Sequence, residues 1–598
     1  MISLDGIDIR LERAAALQVM LLAAFLAVVL AGPKAHAQSA IERARRQADD
    51  IQRQQSDRQR GPQTTRPQAP TGTMPAAPKL AAPRRSKGRC FAIDTINVTG
   101  VKLIRKTLVR AKLKPFEGQC LDLNALNGVL QQITFLYVKR GYVTSRAYLP
   151  EQHLADGVLD IVVVEGKLSG IVINRKPDTN NAEISTAFPG LIGKPLNLRD
   201  IEQGLDQINR LRSNNATIVL EPGKRQGETT LAITNQPMKR WHVTLGLDNF
   251  GTRATGEYQP TAGIEIDNPL GINDRLTFNY QRNLARGAFP FSGDRPFGNA
   301  YSASYSIPYG YWYFSVDGSW TEYQSEVDGF VSVIDTSGNS ALINLTADRV
   351  IHRDQVSKTS LSGTLTWKHN ENFILGSRVD VSSRNLTFAT LQLSHVRRLF
   401  GGVAAASVAY QNGLKIWGAF DDDTAPEGSP KGQFRKVTAS LTFTRPFALG
   451  ALSVIYDGYL SGQWTPDALF GSEQMSLGGY SSVRGVSEAE LFGNKVILFR
   501  NELALSLPAP PTSWGLAGFL PLFGTMEPYV AFDVGHVFSE SRFDIFSGTL
   551  SGAAVGLRNR GGAMSFDVSY ADVIDAPAAR PDIHEKGGLT YARISFTF

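Results

Sequence analysis

Apolar and polar residues alternate along the C-terminal part of the chain, from residue 239 to residue 598. The segment WHVTLGLDNF places Trp241, Val243 and Leu245 on one face and smaller or polar residues on the other. Segments such as RLTFNYQ, YWYFSVDGSW, VILFRNELALSL and YARISFTF repeat this pattern over about 8 to 12 residues each. A period of two is typical of β-strands with one apolar and one polar face. The pattern therefore predicts a long run of β-strands.

Alternation of this kind fits either a half-buried sheet of a soluble protein or a membrane-spanning barrel. The barrel is favoured because about 360 residues keep one pattern without a helical segment, and because the polar face carries Arg, Asp and Gly. At about 22 residues for each strand and its connection, this length gives about 16 strands, an even number as bacterial barrels require. We predict a transmembrane β-barrel at residues 239–598, closed by a final strand with Phe596 and Phe598 on one face.

The region before the barrel mixes helical and strand patterns, and it repeats. The segments LDLNALNGVLQQITFL and LNLRDIEQGLDQINRL carry apolar residues at helical spacing, and those of the first recur 75 residues later in the second. At the same offset, Ile96 in one strand matches Ile171 in another. Each unit closes with an alternating strand, LDIVVVEG or TLAITNQ. We predict two tandem β-α-β modules, at residues 89–166 and 167–238.

The first 37 residues are typical of an export signal. Arg10 and Arg13 precede an apolar run from Ala14 to Leu30, and Ala35-His36-Ala37 supplies an A-x-A cleavage pattern. The alternative is a signal anchor that is retained, but the apolar run is short for a ~20-residue membrane span. We predict a signal peptide at residues 1–37 and export of the mature chain.

The mature chain begins with a polar segment that holds its excess positive charge. Residues 38–60 contain six arginines without Pro or Gly, which predicts a helix with a thin apolar stripe. Residues 61–88 form a Pro-rich linker. Residues 38–88 contain eleven Lys or Arg and four Asp or Glu, which accounts for the net charge of +7. Because no folded face carries this charge, nucleic-acid binding is not expected. The helix is either a plug in the polar barrel lumen, as we predict, or a disordered basic tail.

The chain has two cysteines, Cys90 and Cys120, and both lie in the exported part. An oxidising compartment allows them to pair, and the alternative is two independent buried thiols. We predict a disulfide between them.

One loop within the barrel region stands out by its composition. The stretch SLGGYSSVRGVSEAELFGN, from Ser476 to Asn494, is rich in Gly and Ser yet holds one arginine, Arg484, followed by Gly485. An arginine on a solvated surface loop needs no partner. An arginine inside a narrow polar lumen is costly unless it is paired.

These features together resemble the two-partner secretion outer-membrane transporters (TpsB), also called hemolysin activation/secretion proteins, of the BamA-like superfamily. The stretch CFAIDTINVTG resembles the start of the first POTRA domain of that family, with Cys120 as the expected partner of Cys90. LGLDNFGTRATGEYQP followed by IDNPLGINDRL resembles its first barrel hairpin. The resemblance implies two POTRA-like modules in the periplasm and a barrel in the bacterial outer membrane.

The resemblance also implies a role for the arginine. In this superfamily a long extracellular loop folds back into the barrel and ends in a V-R-G-[YF] tip, which Val483-Arg484-Gly485 matches, whereas Val486 departs from the aromatic fourth position. The implied partner is the aspartate of a D-x-G motif on a lumen-facing strand, here Asp533 with Gly535. If the apolar residues of YVAFDVGHV face lipid, Asp533 points into the lumen, where a bidentate ion pair would fix the loop tip.

The resemblance implies a translocator that recognises an exported, unfolded exoprotein, such as an adhesin or cytolysin, through its POTRA modules and secretes it without nucleotide hydrolysis. Outer-membrane lipid and the barrel assembly machinery are the other implied partners. The alternatives are a BamA-like assembly factor, a passive porin and an outer-membrane enzyme. The sequence contains no G-x-S-x-G, P-loop, H-E-x-x-H or C-x-x-C motif, and its eight histidines lack metal-ligand spacing. We therefore expect no catalytic residue, metal or cofactor.

Overall fold

The computed structural model describes residues 90–598 with the exception of residues 175, 178–181, 286–295, 329–332, 425–427, 451, 508–523, 541–545 and 586. The predicted signal peptide, plug helix and linker lie outside the described residues. The described chain folds into two small α/β modules followed by a closed barrel.

The two modules occupy the first third of the described chain. The elements of the first module are β1 (Phe91–Ile93), β2 (Thr95–Thr99), α1 (Lys106–Leu113), β3 (Gln119–Leu121), α2 (Leu123–Val138), β4 (Arg146–Tyr148) and β5 (Val158–Val164). The elements of the second module are β6 (Lys167–Ile173), β7 (Lys176–Pro177), α3 (Ala182–Ala187), α4 (Leu198–Asn209), β8 (Thr217–Pro222) and β9 (Glu228–Thr234).

Both modules have the predicted β-α-β arrangement. β2 pairs with β5 in parallel in the first module, and β6 pairs with β9 in parallel in the second. A parallel pair needs a crossover connection, which the helices supply. The long helix of each module starts where a side chain accepts a hydrogen bond from its first turn: Asp122 from the Ala125 amide at 2.7 Å, and Asn197 from the Arg199 amide at 2.9 Å.

The repeated apolar positions form a separate core in each module. Leu126 and Ile133 of α2 are buried in the first module, and Ile201 and Ile208 of α4 are buried in the second. Leu123, which the helical pattern also includes, is 70% exposed because it is the first residue of α2 and lies at the edge of the apolar face. The structure joins Cys90 to Cys120 in a disulfide, which fastens the start of the first module beside β3.

The rest of the chain is almost entirely β-structure. Its strands are β10 (Trp241–Asp248), β11 (Gln259–Asp267), β12 (Arg275–Leu284), β13 (Phe297–Tyr309), β14 (Trp312–Asp328), β15 (Val333–Arg353), β16 (Ser357–Ile374), β17 (Ser377–Arg378), β18 (Arg384–Leu399), β19 (Gly402–Leu414), β20 (Arg435–Leu449), β21 (Leu452–Trp464), β22 (Met475–Leu477), β23 (Leu491–Gly493), β24 (Val496–Ser506), β25 (Thr525–Val537), β26 (Gly548–Arg560), β27 (Met564–Asp575) and β28 (Leu589–Thr597). A short helix, α5 (Asp582–Glu585), precedes the last strand.

Sixteen of these strands form one closed antiparallel barrel, which confirms the predicted fold class. β17, β22 and β23 lie in connections, and β16 therefore pairs directly with β18. The barrel closes between β10 and β28, where Leu245 lies opposite Phe596 and the Phe598 amide donates to the Val243 carbonyl at 2.9 Å. Several strands are longer than the predicted 8 to 12 residues, and β15 has 21. The predicted lengths are too short because the hydrogen-bonded hairpins continue beyond the apolar band, where apolar and polar side chains no longer alternate.

The two faces of the barrel wall differ as the alternation predicts. On β25, Val530 and Phe532 are 55% and 44% exposed on the outer surface, whereas Asp533 is fully buried inside. Trp241 and Leu245 are likewise exposed on the outer surface of β10. An apolar outer band and a polar interior are the properties of a membrane-spanning barrel.

The second module rests on turns at one end of the barrel, which is called the module end below. Gln203 and Gln207 of α4 donate to the Gly310 carbonyl at 3.2 and 2.9 Å. Arg353 at the end of β15 donates to Asp206 at 2.5 Å, and its side chain is 1% exposed. Burial, together with a hydrogen bond to Asp200, raises the pKa of the neighbouring Tyr311 above its ordinary value. Buried polar contacts with defined geometry hold the module in one orientation.

Candidate functional site: a loop folded into the barrel

Residues 465–495, the lumen loop, connect β21 to β24 at the end of the barrel opposite the modules. The loop does not extend into solvent. Its strands β22 and β23 pair with each other, and the tip, Ser482 to Val486, is buried within the barrel. Leu477, Val483 and Val486 pack there with apolar residues of the wall. A Gly- and Ser-rich connection is thereby held inside the barrel by a small apolar cluster.

The tip arginine is paired with the aspartate that the family resemblance implies. Arg484 Nε donates to Asp533 Oδ2 at 2.6 Å, and Nη2 donates to Oδ1 at 2.8 Å. The Arg484 amide also donates to Asp533 Oδ2, at 3.2 Å. The two residues are 3% and 0% exposed. Because a buried charge without a partner is costly, this bidentate pair ties the tip firmly to β25.

Further charged residues surround this pair, and the sequence analysis missed them. Arg484 Nη1 also donates to Glu502 at 3.2 Å, and Arg500 Nε donates to Asp533 at 3.3 Å. Arg558 on β26 pairs with Glu502 at 2.5 Å. The result is a chain of alternating charges across β24, β25 and β26. Arg500 and Glu502 are two residues apart in VILFRNELALSL and therefore share a face, which is the signal that could have identified them.

Three glycines leave room for the tip to approach the wall. Gly485 has φ +114°, and a Cβ there would lie 2.7 Å from the Asp572 carbonyl carbon. A Cβ on Gly535, the glycine of the D-x-G motif, would lie 2.5 Å from the Leu477 side chain. A Cβ on Gly552 would lie 1.9 Å from the Arg484 carbonyl oxygen. At Gly485 and Gly552 the contact is with backbone and at Gly535 it is with a side chain, and in each case a Cβ would be too close.

An aromatic contact is present at the tip, although Val486 cannot supply it. Tyr480, four residues before Arg484, stacks on Phe250 with ring centroids 3.9 Å apart. Its hydroxyl donates to Asp567 at 2.9 Å. Tyr591 lies edge-on to Tyr480, donates to the Val486 carbonyl and accepts from the Gly485 amide. Phe250 follows β10 and Tyr591 lies on β28, so the lumen loop contacts both sides of the barrel closure.

The structure places the predicted site residues in three groups, one of which is the pair Phe596 and Phe598 at the closure of the barrel between β10 and β28. The lumen loop meets Asp533 through Arg484 and Gly535 through Leu477, whereas the disulfide lies in the first module. Among the residues that the structure describes, no group of His, Cys, Asp or Glu could hold a metal ion. In the same residues, no helix is both long and apolar enough to cross a membrane. The site is an arrangement that holds a loop inside the barrel.

Comparisons with known proteins agree with this architecture. The model of the family described as haemolysin secretion/activation protein ShlB/FhaC/HecB matches residues 227–559. A ShlB-type POTRA domain model matches residues 91–166, and a second POTRA domain model matches residues 167–222.

Individual relatives match over most of the chain. The outer membrane transporter CdiB of Escherichia coli strain 536 is 35% identical over 86% of this chain and 83% of its own. The hemolysin transporter protein ShlB of Serratia marcescens is 30% identical over 85% of this chain and 86% of its own. The solved structure of CdiB from Escherichia coli superposes with a TM-score of 0.79 at 32% identity, and covers 94% of this chain and 100% of that one.

Proposed function

The chain belongs to the haemolysin secretion/activation protein family, and from this premise we propose how its parts move an exoprotein across the outer membrane. It is an outer-membrane translocator of two-partner secretion, with its barrel in the membrane and its POTRA modules in the periplasm. Its cargo is an exoprotein, and the name of one relative, a hemolysin transporter, supports a haemolysin as one candidate class. The protein acts as a transporter, and we expect no catalytic residue in it.

The observation that carries this proposal is the attachment of two POTRA modules to a barrel with a loop folded inside it. β8 is an edge strand of the second module, and Val219 on it is 61% exposed. β4 is an edge strand of the first module, and Tyr148 on it is 43% exposed. An extended polypeptide can add to such edges by main-chain hydrogen bonds. The modules thus bind the unfolded exoprotein at the module end of the barrel.

The gate inside the barrel is the lumen loop. The Arg484–Asp533 pair holds the loop in place at rest, and its displacement opens a path for the extended chain. The predicted helix at residues 38–60 also occupies the lumen at rest and leaves it during transport. The transport uses no nucleotide. Folding of the exoprotein outside the cell therefore drives its net movement outward. Outer-membrane lipid surrounds the apolar band, and the barrel assembly machinery inserts the barrel.

The experiment that tests this function is secretion of a co-expressed exoprotein from a neighbouring gene. We expect secretion with the full chain and none after deletion of residues 90–237, although the barrel still reaches the membrane. Loss of membrane proteins in general would instead favour a BamA-like assembly factor. A porin would keep its conductance after the deletion, and no exoprotein would depend on it.

A substitution at the strand edge distinguishes binding of the exoprotein by the module from insertion of the barrel into the membrane. Val219→Asp places a charge on the open edge of β8, where we expect slower secretion with normal barrel levels. Glu221→Ala is the matched control. It changes an exposed residue two positions along the same strand, and it adds no charge to the edge. Equal secretion by the Val219→Asp variant and the parent would exclude this edge as the binding site.

A further inference from the structure

A second set of buried charges holds the lumen loop, nine residues before the start of its tip at Ser482. Glu473 ends a short 3₁₀ turn, Gly471–Glu473, and is 3% exposed. Lys368 Nζ donates to Glu473 Oε1 at 3.1 Å, and Lys436 Nζ donates to Oε2 at 3.2 Å. Both lysines also donate to the backbone of the turn, at the Ser472 and Glu473 carbonyls. We call Glu473, Lys368 and Lys436 the root clamp.

The root clamp is buried as deeply as the tip pair. The side chains of Lys368 and Lys436 are 4% and 0% exposed, and that of Glu473 is 4% exposed. Removing the Glu473 charge would leave two ammonium groups close together with low solvent access. Breaking a buried ion pair by removing one partner is strongly unfavourable. The wall lysines therefore favour the conformation in which the loop turn stays against them.

The root clamp and the tip attach the loop to different parts of the wall. Lys368 and Lys436 lie on β16 and β20, the seventh and tenth strands of the barrel. Asp533 and Tyr591, which hold the tip, lie on β25 and β28, the thirteenth and sixteenth strands. The loop starts from the eleventh strand and returns to the twelfth. It is thus fixed to the wall on both sides of its own origin.

Two glycines lie between the root clamp and the tip. Gly478 and Gly479 have φ angles of +120° and +91°, a region that other residues rarely adopt. A Cβ on Gly478 would lie 2.4 Å from the Glu488 carbonyl oxygen, so the two limbs of the loop are in close contact there. Consecutive glycines can absorb a large change in backbone angles.

We propose that the root clamp is a fixed anchor, and that the tip swings about Gly478 and Gly479 while residues 465–473 stay against the wall. This inference rests on the proposed gating role of the loop. Release of the Arg484–Asp533 pair then moves the tip half of the loop only. The clamp residues act as positioning residues, because they keep the displaced loop on the side of β16 and β20 and return the tip to Asp533 after transport.

The proposal is tested by the accessibility of single cysteines in the purified full chain. Ser472→Cys reports on the root and Ser482→Cys reports on the tip, since both serines are buried. The native cysteines are joined to each other and do not react. With a hydrophilic maleimide we expect slow labelling of both positions in the parent. In an Arg484→Ala background, Ser482→Cys becomes reactive and Ser472→Cys stays protected. In a Glu473→Gln background, Ser472→Cys loses its protection.

The control is Lys415→Gln, which removes a charge of an exposed ion pair with Asp421 in another connection and leaves both labelling rates unchanged. Heat-modifiable migration in gel electrophoresis verifies that each variant retains its barrel. Equal exposure of both positions in the Arg484→Ala protein would overturn the proposal, because the loop would then move as one unit. Full protection of Ser472→Cys in the folded Glu473→Gln protein would overturn it too. No exoprotein is needed, so these outcomes are independent of the secretion assay.

Discussion

Gly552 faces the Arg484 backbone so closely that a Cβ at position 552 would lie 1.9 Å from the Arg484 carbonyl oxygen. It also lies opposite Asp533 in the pairing of β25 with β26. We predict that Gly552→Ala keeps a folded barrel but prevents the tip from docking, because the backbone at position 552 is paired on both sides in the sheet and cannot retreat. Labelling of Ser482→Cys should rise as it does in Arg484→Ala, and single-channel conductance should increase.

Gly318→Ala is the matched control for this prediction. Gly318 lies within β14 on the outer face, and a Cβ there would have no neighbour within 4 Å. This variant should label and conduct like the parent. Parental behaviour of Gly552→Ala as well would mean that the close approach is not needed for docking.

The second prediction concerns the chemistry of the tip residue. Arg484→Ala should insert normally and secrete far less, because removal of one partner of a buried pair costs about 3–5 kcal/mol. Arg484→Lys should also be impaired, although less, since an ammonium keeps the charge but cannot make the bidentate contact. Secretion is measured at matched barrel levels in the membrane. Parental secretion by a stable Arg484→Ala variant would contradict the gating role.

Charge reversal at both positions examines the pair itself. The combination Arg484→Asp with Asp533→Arg should recover some secretion if the two side chains act as a pair. The recovery should be small, since the new arginine at 533 would lie beside Arg500 and the new aspartate at 484 beside Glu502. A double variant no better than either single variant would indicate that these neighbours determine the outcome.

The disulfide provides a third prediction. Replacing Cys90 and Cys120 by serine should lower the free energy of unfolding of the first module by about 3.5 kcal/mol, the loop-entropy value for a ~30-residue loop. Thermal unfolding of the purified protein, with and without reductant, measures this. The reduced parent should behave like the double variant. Two alkylatable thiols in the natively exported chain would show that the bond is absent.

Arg353 provides a fourth prediction, on the attachment of the second module. Arg353→Ala leaves Asp206 and Glu202 without this buried cation, so we expect the module to detach more easily from the barrel. Proteolytic cleavage within residues 234–240 should be faster, and secretion lower. His352→Ala is the control, because the adjacent His352 side chain is 57% exposed. Equal cleavage rates for the two variants would argue against a rigid junction.

The fifth prediction concerns residues 38–60. Their six arginines can find carboxylates in a polar lumen, and the linker at 61–88 is long enough to connect that position to the modules. Deletion of residues 38–60 should raise single-channel conductance in planar bilayers and spare much of the secretion. Unchanged conductance would favour a disordered basic tail.

The sequence by itself determined the features that have a local or repeated signature. Side-chain period two defined the barrel strands and placed Asp533 on the face opposite Val530 and Phe532, because successive side chains of a strand point to opposite faces. The 75-residue repeat defined the two modules. The V-R-G and D-x-G motifs, through the family resemblance, indicated the pairing of Arg484 with Asp533.

The tertiary structure alone decided which other residues meet the lumen loop. Glu473 contacts Lys368, 105 residues earlier, and Tyr480 stacks on Phe250, which follows the first strand of the barrel. Nothing local marks these pairs. The relative height of two wall residues along the barrel axis depends on the pairing register of every hairpin between them. A shift of one residue in that register would turn a lysine from the lumen to the lipid. The path of a Gly- and Ser-rich loop has no period at all, so its contacts follow from the closed barrel around it.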